Sequence, residues 1–218
     1  MSNKSHMSVF YGGYRERNPI KWMKRFFRQW KWAYQRATRG YADCDAWDVR
    51  GWFLGVMPGL LETFAKDAHS FPMVTDPKEP HWAENKPVIL KDDLNDDPTD
   101  ETTRRYNAWQ NTLMTMAAKF READESTCTV KNPMEDSWSQ MYEEFDAEYG
   151  LFGSKLEEQA IKEKKSSIRA HFPSEMKEEW KTITEKYLEE EKKLDAYRVR
   201  CLDEAMTDFH NWFWDLWD

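Results

Sequence analysis

The side chains best suited to chemistry lie on one side of a single predicted helix: Lys21, Lys24, Arg25, Arg28, Lys31, Arg36 and Arg39, with Trp32 among them. Ammonium and guanidinium groups at helical spacing make a row of anion contacts, and an indole between them can stack on a base or a guanidinium. The plainer reading, a solvated face or one neutralised by acids elsewhere in the chain, is the favoured one. The formal charge of −8 also works against bulk affinity for nucleic acid, because the rest of the molecule repels phosphate. Just beyond the helix comes a second group, Asp43, Asp45, Trp47 and Asp48. Its simplest role is structural: Arg39 pairs with Asp43 or Asp45 across the turn, while Trp47 packs.

Signatures of catalysis are not found. The sequence holds no phosphate-binding glycine loop, no dinucleotide fingerprint and no nucleophile elbow. His6, His69, His81, His171 and His210 lack metal-ligand spacing. The acidic run from Asp92 to Glu101 has Pro98 where a calcium-binding loop needs glycine and Arg104 where it needs glutamate, so it reads as a solvated loop. No residue is assigned as catalytic, none as a metal ligand, and no cofactor is expected.

The elements that must position these residues are helical. The first helix is expected over Pro19–Arg39, with Asn18 as cap, Pro19 in the first turn and Gly40 at the exit. Opposite its cations, Ile20, Met23, Phe27, Trp30, Tyr34 and Ala37 form an apolar stripe, widened by Trp22, Phe26 and Ala33. A helix that lies on a membrane surface has the same pattern. The stripe is assigned instead to cover a second helix, which starts near Asp43 or Asp45 and is apolar nearly all round from Trp47 to Phe64. Pro58 should kink or break that helix. Five prolines punctuate residues 70–100, read as an irregular connection with an acidic end that either packs through Phe71, Trp82, Val88, Ile89 and Leu90 or is a mobile functional loop, with a short strand at Pro87–Leu90 as an option.

Further helices are expected over Asp100–Glu125, from a capping box at Asn132-Pro-Met-Glu135 to near Gly150, and from a second box at Ser154 to about Ala170. The last element, Pro173 to about Leu216, repeats apolar residues every three or four positions with Glu190 or Glu191 filling one seam position. Such a length suggests a coiled-coil arm, through which a homo-oligomer could form, or a break near Glu189–Lys193. The aromatic tail from Phe209 to Trp217 should dock on the body of the protein.

Composition bounds the class. The 218 residues include 12 Trp, 12 Phe and 9 Tyr, enough apolar area for a real core. Residues 1–50 hold 11 Lys/Arg against four Asp/Glu, so the remaining chain carries a net charge of −15. Three widely spaced cysteines, Cys44, Cys128 and Cys201, fit a reducing, cytoplasmic setting better than a disulfide framework. No stretch approaches the roughly 20 apolar residues of a membrane span, and the N-terminus lacks a signal-peptide core.

The run Gln35-Arg-Ala-Thr-Arg-Gly-Tyr-Ala-Asp-Cys-Asp-Ala-Trp-Asp-Val49, followed by an apolar helix, resembles a segment of uncharacterised bacteriophage-encoded helical proteins. These also close on an aromatic tail like Leu216-Trp217-Asp218. The resemblance implies an origin in a phage or mobile element and brings no catalytic residues with it. The expected architecture is all-α: a helical bundle with an N-terminal helical hairpin and a long C-terminal helix. Its segments are a basic hairpin over 1–69, a proline-rich acidic connection over 70–99 and a bundle over 100–218 sharing the same core. The expected function is that of a non-enzymatic accessory protein acting on a protein partner, such as a host or defence protein that it binds and inhibits. The alternative is nucleic-acid or nucleotide binding through the basic face with Trp32.

Overall fold

The computed structural model describes residues 19–68, 71–72, 100–162 and 170–216. Among them lie six α-helices and no strand, so the all-α class holds. They are α1 (Pro19–Arg39), α2 (Val49–Asp67), α3 (Glu101–Ala123), α4 (Glu135–Tyr149), α5 (Ser154–Lys162) and α6 (Glu178–Asn211). The proposed strand at Pro87–Leu90, the acidic run before Asp100, the end of the helix expected to reach Ala170, and Trp217 all fall outside the described residues.

The chain forms two compact units, one of them discontinuous in sequence. One unit takes residues up to Cys128 and from Arg200 onward; the other is Thr129–Val199. The reason is that α6 contributes its earlier turns to one core and its last turns to the other.

In the first unit α2 and α3 pack antiparallel. Phe53 meets Phe120 with ring centroids 5.4 Å apart, Gln110 donates to the Ala65 carbonyl at 2.8 Å, and Tyr106 donates to the Ala68 carbonyl at 3.5 Å. Both helices start from an aspartate cap. Asp48 accepts from the Gly51 N–H at 2.8 Å, and Asp100 from the Thr103 N–H at 3.1 Å, each satisfying a donor the helix leaves open. A Cβ on Gly51 would come within 2.3 Å of the Asp48 carboxylate, which would have to shift to make room for it. Leu113, Met116, Ala117 and Phe120 of α3 are buried against Leu54, Leu61 and Ala65 of α2. A bidentate ion pair adds to this contact, from Arg121 Nε and Nη2 to the two Glu62 oxygens at 2.9 and 2.8 Å.

Of the two expectations at Pro58, a kink or a break, the break does not occur: α2 runs through it. A proline inside a helix costs about 3 kcal/mol. Each fully buried leucine or phenylalanine returns about 1.5–3 kcal/mol, and Pro58 itself sits on the buried face between Leu54 and Leu61.

The tail docks in part. Phe209 closes against Phe53 and Phe120, Trp212 lies edge-on to Trp109 at 5.2 Å, and Leu216 packs on the same core. Phe213 and Trp214 remain exposed, so docking does not extend to the whole aromatic run. Phe71, just after α2, is buried and meets Tyr106.

The second unit is built on Met141, Phe145 and Trp180, with Trp138 stacked on Tyr187 at 4.3 Å. Asn132 does not cap α4 as the sequence pattern suggests. Its carbonyl accepts from the Met134 N–H at 2.9 Å in a turn ahead of the helix, which begins at Glu135. Its amide donates to the Tyr187 carbonyl and to Glu191, both at 3.1 Å, so this buried polar side chain is satisfied from α6. The charged seam position of α6 is thus used within the chain.

No break occurs at Glu189–Lys193, since α6 continues through to Asn211. These are strong helix formers, and Lys193 pairs with Glu189 at 3.3 Å and Glu190 at 2.8 Å along one face. At 1.5 Å per residue the helix is about 51 Å long. Its apolar residues serve the two cores in turn: Trp180 the second unit, Leu202, Ala205 and Phe209 the first.

Phe120 is fully buried between two aromatic rings, so Phe120→Ala is expected to cost about 3–5 kcal/mol, read as a lowered denaturant midpoint.

Candidate interaction surface

Helix α1 forms for the reasons visible in its sequence. Proline opens it, and Gly40 closes it at φ +79°, a left-handed conformation that glycine adopts freely, with its N–H on the Arg36 carbonyl at 3.0 Å. The helix has seven Lys/Arg and no Asp or Glu. Arg36 and Arg39 in its last turn suit the negative end of the helix dipole.

What α1 turns toward the rest of the chain is the reverse of the expectation. The more covered positions are Arg25, Gln29, Trp32, Ala33, Gln35 and Arg36. The apolar stripe is open: Ile20 is 63% exposed, Phe27 64% and Tyr34 70%, with Trp22, Met23, Phe26 and Trp30 also on the surface. The stripe does not cover α2, so α1 and α2 are not the packed hairpin expected; among the described residues the partner of α2 is α3.

Two aspartates explain the inversion. Asp45 accepts from Arg36 Nε at 3.0 Å, from Arg36 Nη2 at 2.6 Å and from the Ala42 N–H at 2.7 Å. This ion pair is largely shielded, with side-chain exposures of 16% for Arg36 and 10% for Asp45. The Arg36 hydrogen bonds hold the Asp45 carboxyl below the usual carboxylate range, against the opposing effect of burial. Asp43, more exposed, accepts from Gln35 Nε2 at 2.7 Å, from Lys31 at 3.0 Å and from Arg39. The Asp43 N–H in turn donates to Gln35 Oε1 at 3.0 Å. The Gln35 and Arg39 hydrogen bonds, then that of Lys31, hold the Asp43 carboxyl far below its ordinary value. The Cys44 thiol lies between Arg36 Nη2 and Asp45 Oδ1 at 3.6 and 3.5 Å, and partial burial raises its pKa.

The expected anion patch is therefore divided. Lys31, Arg36 and Arg39 are engaged by the chain's own carboxylates. Arg28 lies 5.1 Å above the Trp32 ring, so one face of that half-buried indole is occupied by a guanidinium. Lys21, Lys24 and Arg25 lie nearer the start of the helix, where Lys21 and Lys24 are exposed. In the junction, Asp43 and Asp45 are the clamp and Asp48 is the α2 cap. Trp47 does not pack as expected: it is 93% exposed.

Elsewhere the geometry offers less. A shallow trough on α3 is lined by Glu101, Arg104, Arg105, Asn107, Ala108 and Asn111, but Glu101 already pairs with Arg104 at 3.2 Å and Arg105 at 2.9 Å. Among the described residues, no group of three His, Cys, Asp or Glu is arranged to hold a metal ion, and no helix is long and apolar enough to cross a membrane. The three cysteines are free thiols, with Cys128 and Cys201 buried.

Comparison with protein-family models, with curated proteins and with solved structures finds no match to this chain.

The clamp makes a prediction about acid stability. The folded pKa of Asp45 lies below the unfolded value of about 3.9, so its contribution is present above that pH and fades as the pH falls further. Asp45→Asn is expected to lose about 1–3 kcal/mol at pH 7 and to show a shallower loss of stability on acidification than the parent protein. Urea denaturation at neutral and acid pH reads both effects; an unchanged midpoint at neutral pH contradicts the clamp.

Proposed function

We propose that this protein acts by binding rather than by catalysis, and that α1 is the element it binds with. The observation that carries this reading is the open aromatic stripe on a helix held in place from its opposite side. Monomeric proteins rarely leave a contiguous apolar patch of that kind without a use, and rims of charge around it mark interaction sites. Trp22 stacks on Phe26 at 5.6 Å, and Phe26 lies edge-on to Phe27 and Trp30, so the patch is already organised. The class of function expected from the sequence is kept; the contact surface moves from the cationic to the apolar side.

The resemblance of Gln35–Val49 and of the closing Leu216-Trp217-Asp218 to phage-encoded proteins fits an accessory factor that engages and modulates a component of a host cell. Nucleic-acid binding is the less supported reading. A phosphate would have to displace Asp43 or Asp45 to reach Lys31, Arg36 or Arg39, and a base would have to displace Arg28 from Trp32.

The triple variant Met23→Ser, Phe27→Ser, Tyr34→Ser tests the reading. All three side chains are exposed, so each change should alter stability by no more than about 0.5 kcal/mol. The immobilised parent should retain a component of a whole host lysate, membranes included, that the variant does not. Equal recovery, or a loss of several kcal/mol that shows the stripe to be core, contradicts the reading.

A further inference from the structure

The apolar half of α1 is open, which leaves the question of what it is built to meet. Placed at 100° per residue, Trp22, Ala33, Phe26, Ala37, Trp30, Met23, Tyr34, Phe27 and Ile20 fill a continuous arc of about 160°. The seven cations and Trp32 fill the complementary side. Lys31 and Lys24 stand at one border of the apolar arc, Arg36 and Arg25 at the other. Peptide helices that dock in protein grooves use a narrower row of anchors at i, i+3 or i+4, and i+7. A nearly equal division into two halves matches a planar boundary, with one half in hydrocarbon and the other in water.

Residue types agree with that geometry. The apolar half is dominated by Trp22, Trp30, Tyr34, Phe26 and Phe27 rather than by aliphatic residues. Trp and Tyr prefer the level where acyl chains give way to headgroups, since each has an apolar body and a polar tip. Lys31, Arg36 and Arg39 are held by Asp43 and Asp45, which leaves the exposed Lys21 and Lys24 to reach toward headgroup phosphates while their stems lie along the apolar surface. No carboxylate on α1 opposes them. Ile20, Phe27 and Tyr34, at one end of the apolar arc, lie opposite the Arg36–Asp45 pair that holds the helix from behind.

A second copy of the chain meets this face poorly. Apposing two α1 helices along their apolar arcs would bring together the exposed Lys24 at the border of each, with no acid on either helix between them. The occupant must be apolar in its middle and negative at its edges. We propose that α1 is an interfacial helix that lies in the surface of a membrane containing anionic lipid. This proposal rests on the reading of α1 as the binding element and assigns its occupant. Residues 40–218 carry a net charge of −17, so attraction to the lipid comes from α1 and is confined to roughly the 8 Å Debye length around it.

The test is flotation of the full chain with vesicles of phosphatidylcholine alone and of phosphatidylcholine mixed with phosphatidylglycerol. The parent should float with the mixed vesicles and bind the neutral ones about tenfold or more weakly. Phe27→Ser with Trp30→Ser should weaken binding to mixed vesicles by about tenfold or more through lost apolar burial. Lys21→Gln with Lys24→Gln should do the same through lost charge, since each cation near the surface contributes a factor of about five. Circular dichroism and an unchanged denaturation midpoint establish that each variant remains folded. No flotation with mixed vesicles overturns the lipid assignment. If the parent then retains a host protein from a membrane-free lysate and the serine variants do not, the occupant is a protein groove, and the reading of α1 as the binding element survives. Equal flotation of the parent and the Phe27/Trp30 variant overturns the lipid assignment as well, because the apolar arc would then play no part. Equal binding to neutral and mixed vesicles removes the role of the cations and overturns the proposal in its anionic form.

Discussion

The side of α1 that faces the rest of the chain is decided by two carboxylates. Asp43 and Asp45 lie four to nine residues beyond Arg39 and Arg36, close enough for the chain to turn at Gly40 and fold back on the helix end. Four donors converge on Asp45, two of them from one guanidinium, in a pocket shielded from water. A planar guanidinium facing a carboxylate in this way fixes orientation as well as distance. Once that contact forms, the cationic side of α1 points inward at its C-terminal end, and the aromatic stripe points outward.

That arrangement is tolerable because the core does not need α1. The buried residues of α2 and α3 cover one another, and the last turns of α6 with Phe209, Trp212 and Leu216 complete the cluster. Glu62 with Arg121 and Asp208 with Lys119 pair at 2.8 and 2.9 Å around its edge. The second unit has its own cluster around Trp180 and satisfies its buried Asn132 from α6. Many of the aromatic residues form these cores, while α1 holds a contiguous group of them on the surface.

Much of the helix pattern was legible in the sequence because it depends on local rules. Proline at the start of α1, glycine at the end of α1 and of α4, and apolar spacing on α3 and α6 all identify elements without knowledge of the fold, whereas α2 starts at Val49 behind the Asp48 cap and not near Asp43 or Asp45 as expected. What could not be read was which apolar stripe meets which. The stripe of α1 and the apolar surface of α2 suit each other by composition, and their separation depends on tertiary partners: α3, about fifty residues further along, and the end of α6. The inverted face had a local sign in Asp43 and Asp45, since acids just past a cationic helix end can reach back to it. The pairing of Arg39 with Asp43 follows from that sign; the burial of Arg36 by Asp45 and the full exposure of Trp47 depend on the path of the turn. Pro58 and the Glu189–Lys193 run each allow a break as one of two readings, and the helices continue through both because burial and high helix propensity respectively outweigh the local signal.

The account therefore stands on the orientation of one helix, and site-directed thiol labelling measures it directly. In a Cys44→Ser background, which removes the one half-buried native thiol, Phe27→Cys and Trp32→Cys place a reporter on the two sides of α1. The structure predicts that the thiol at position 27 reacts with a water-borne maleimide at the rate of a free peptide and that the thiol at position 32 reacts several-fold more slowly. Faster labelling at 32 than at 27 would mean that the aromatic stripe is packed inward, and the binding role assigned to α1 would fall with it.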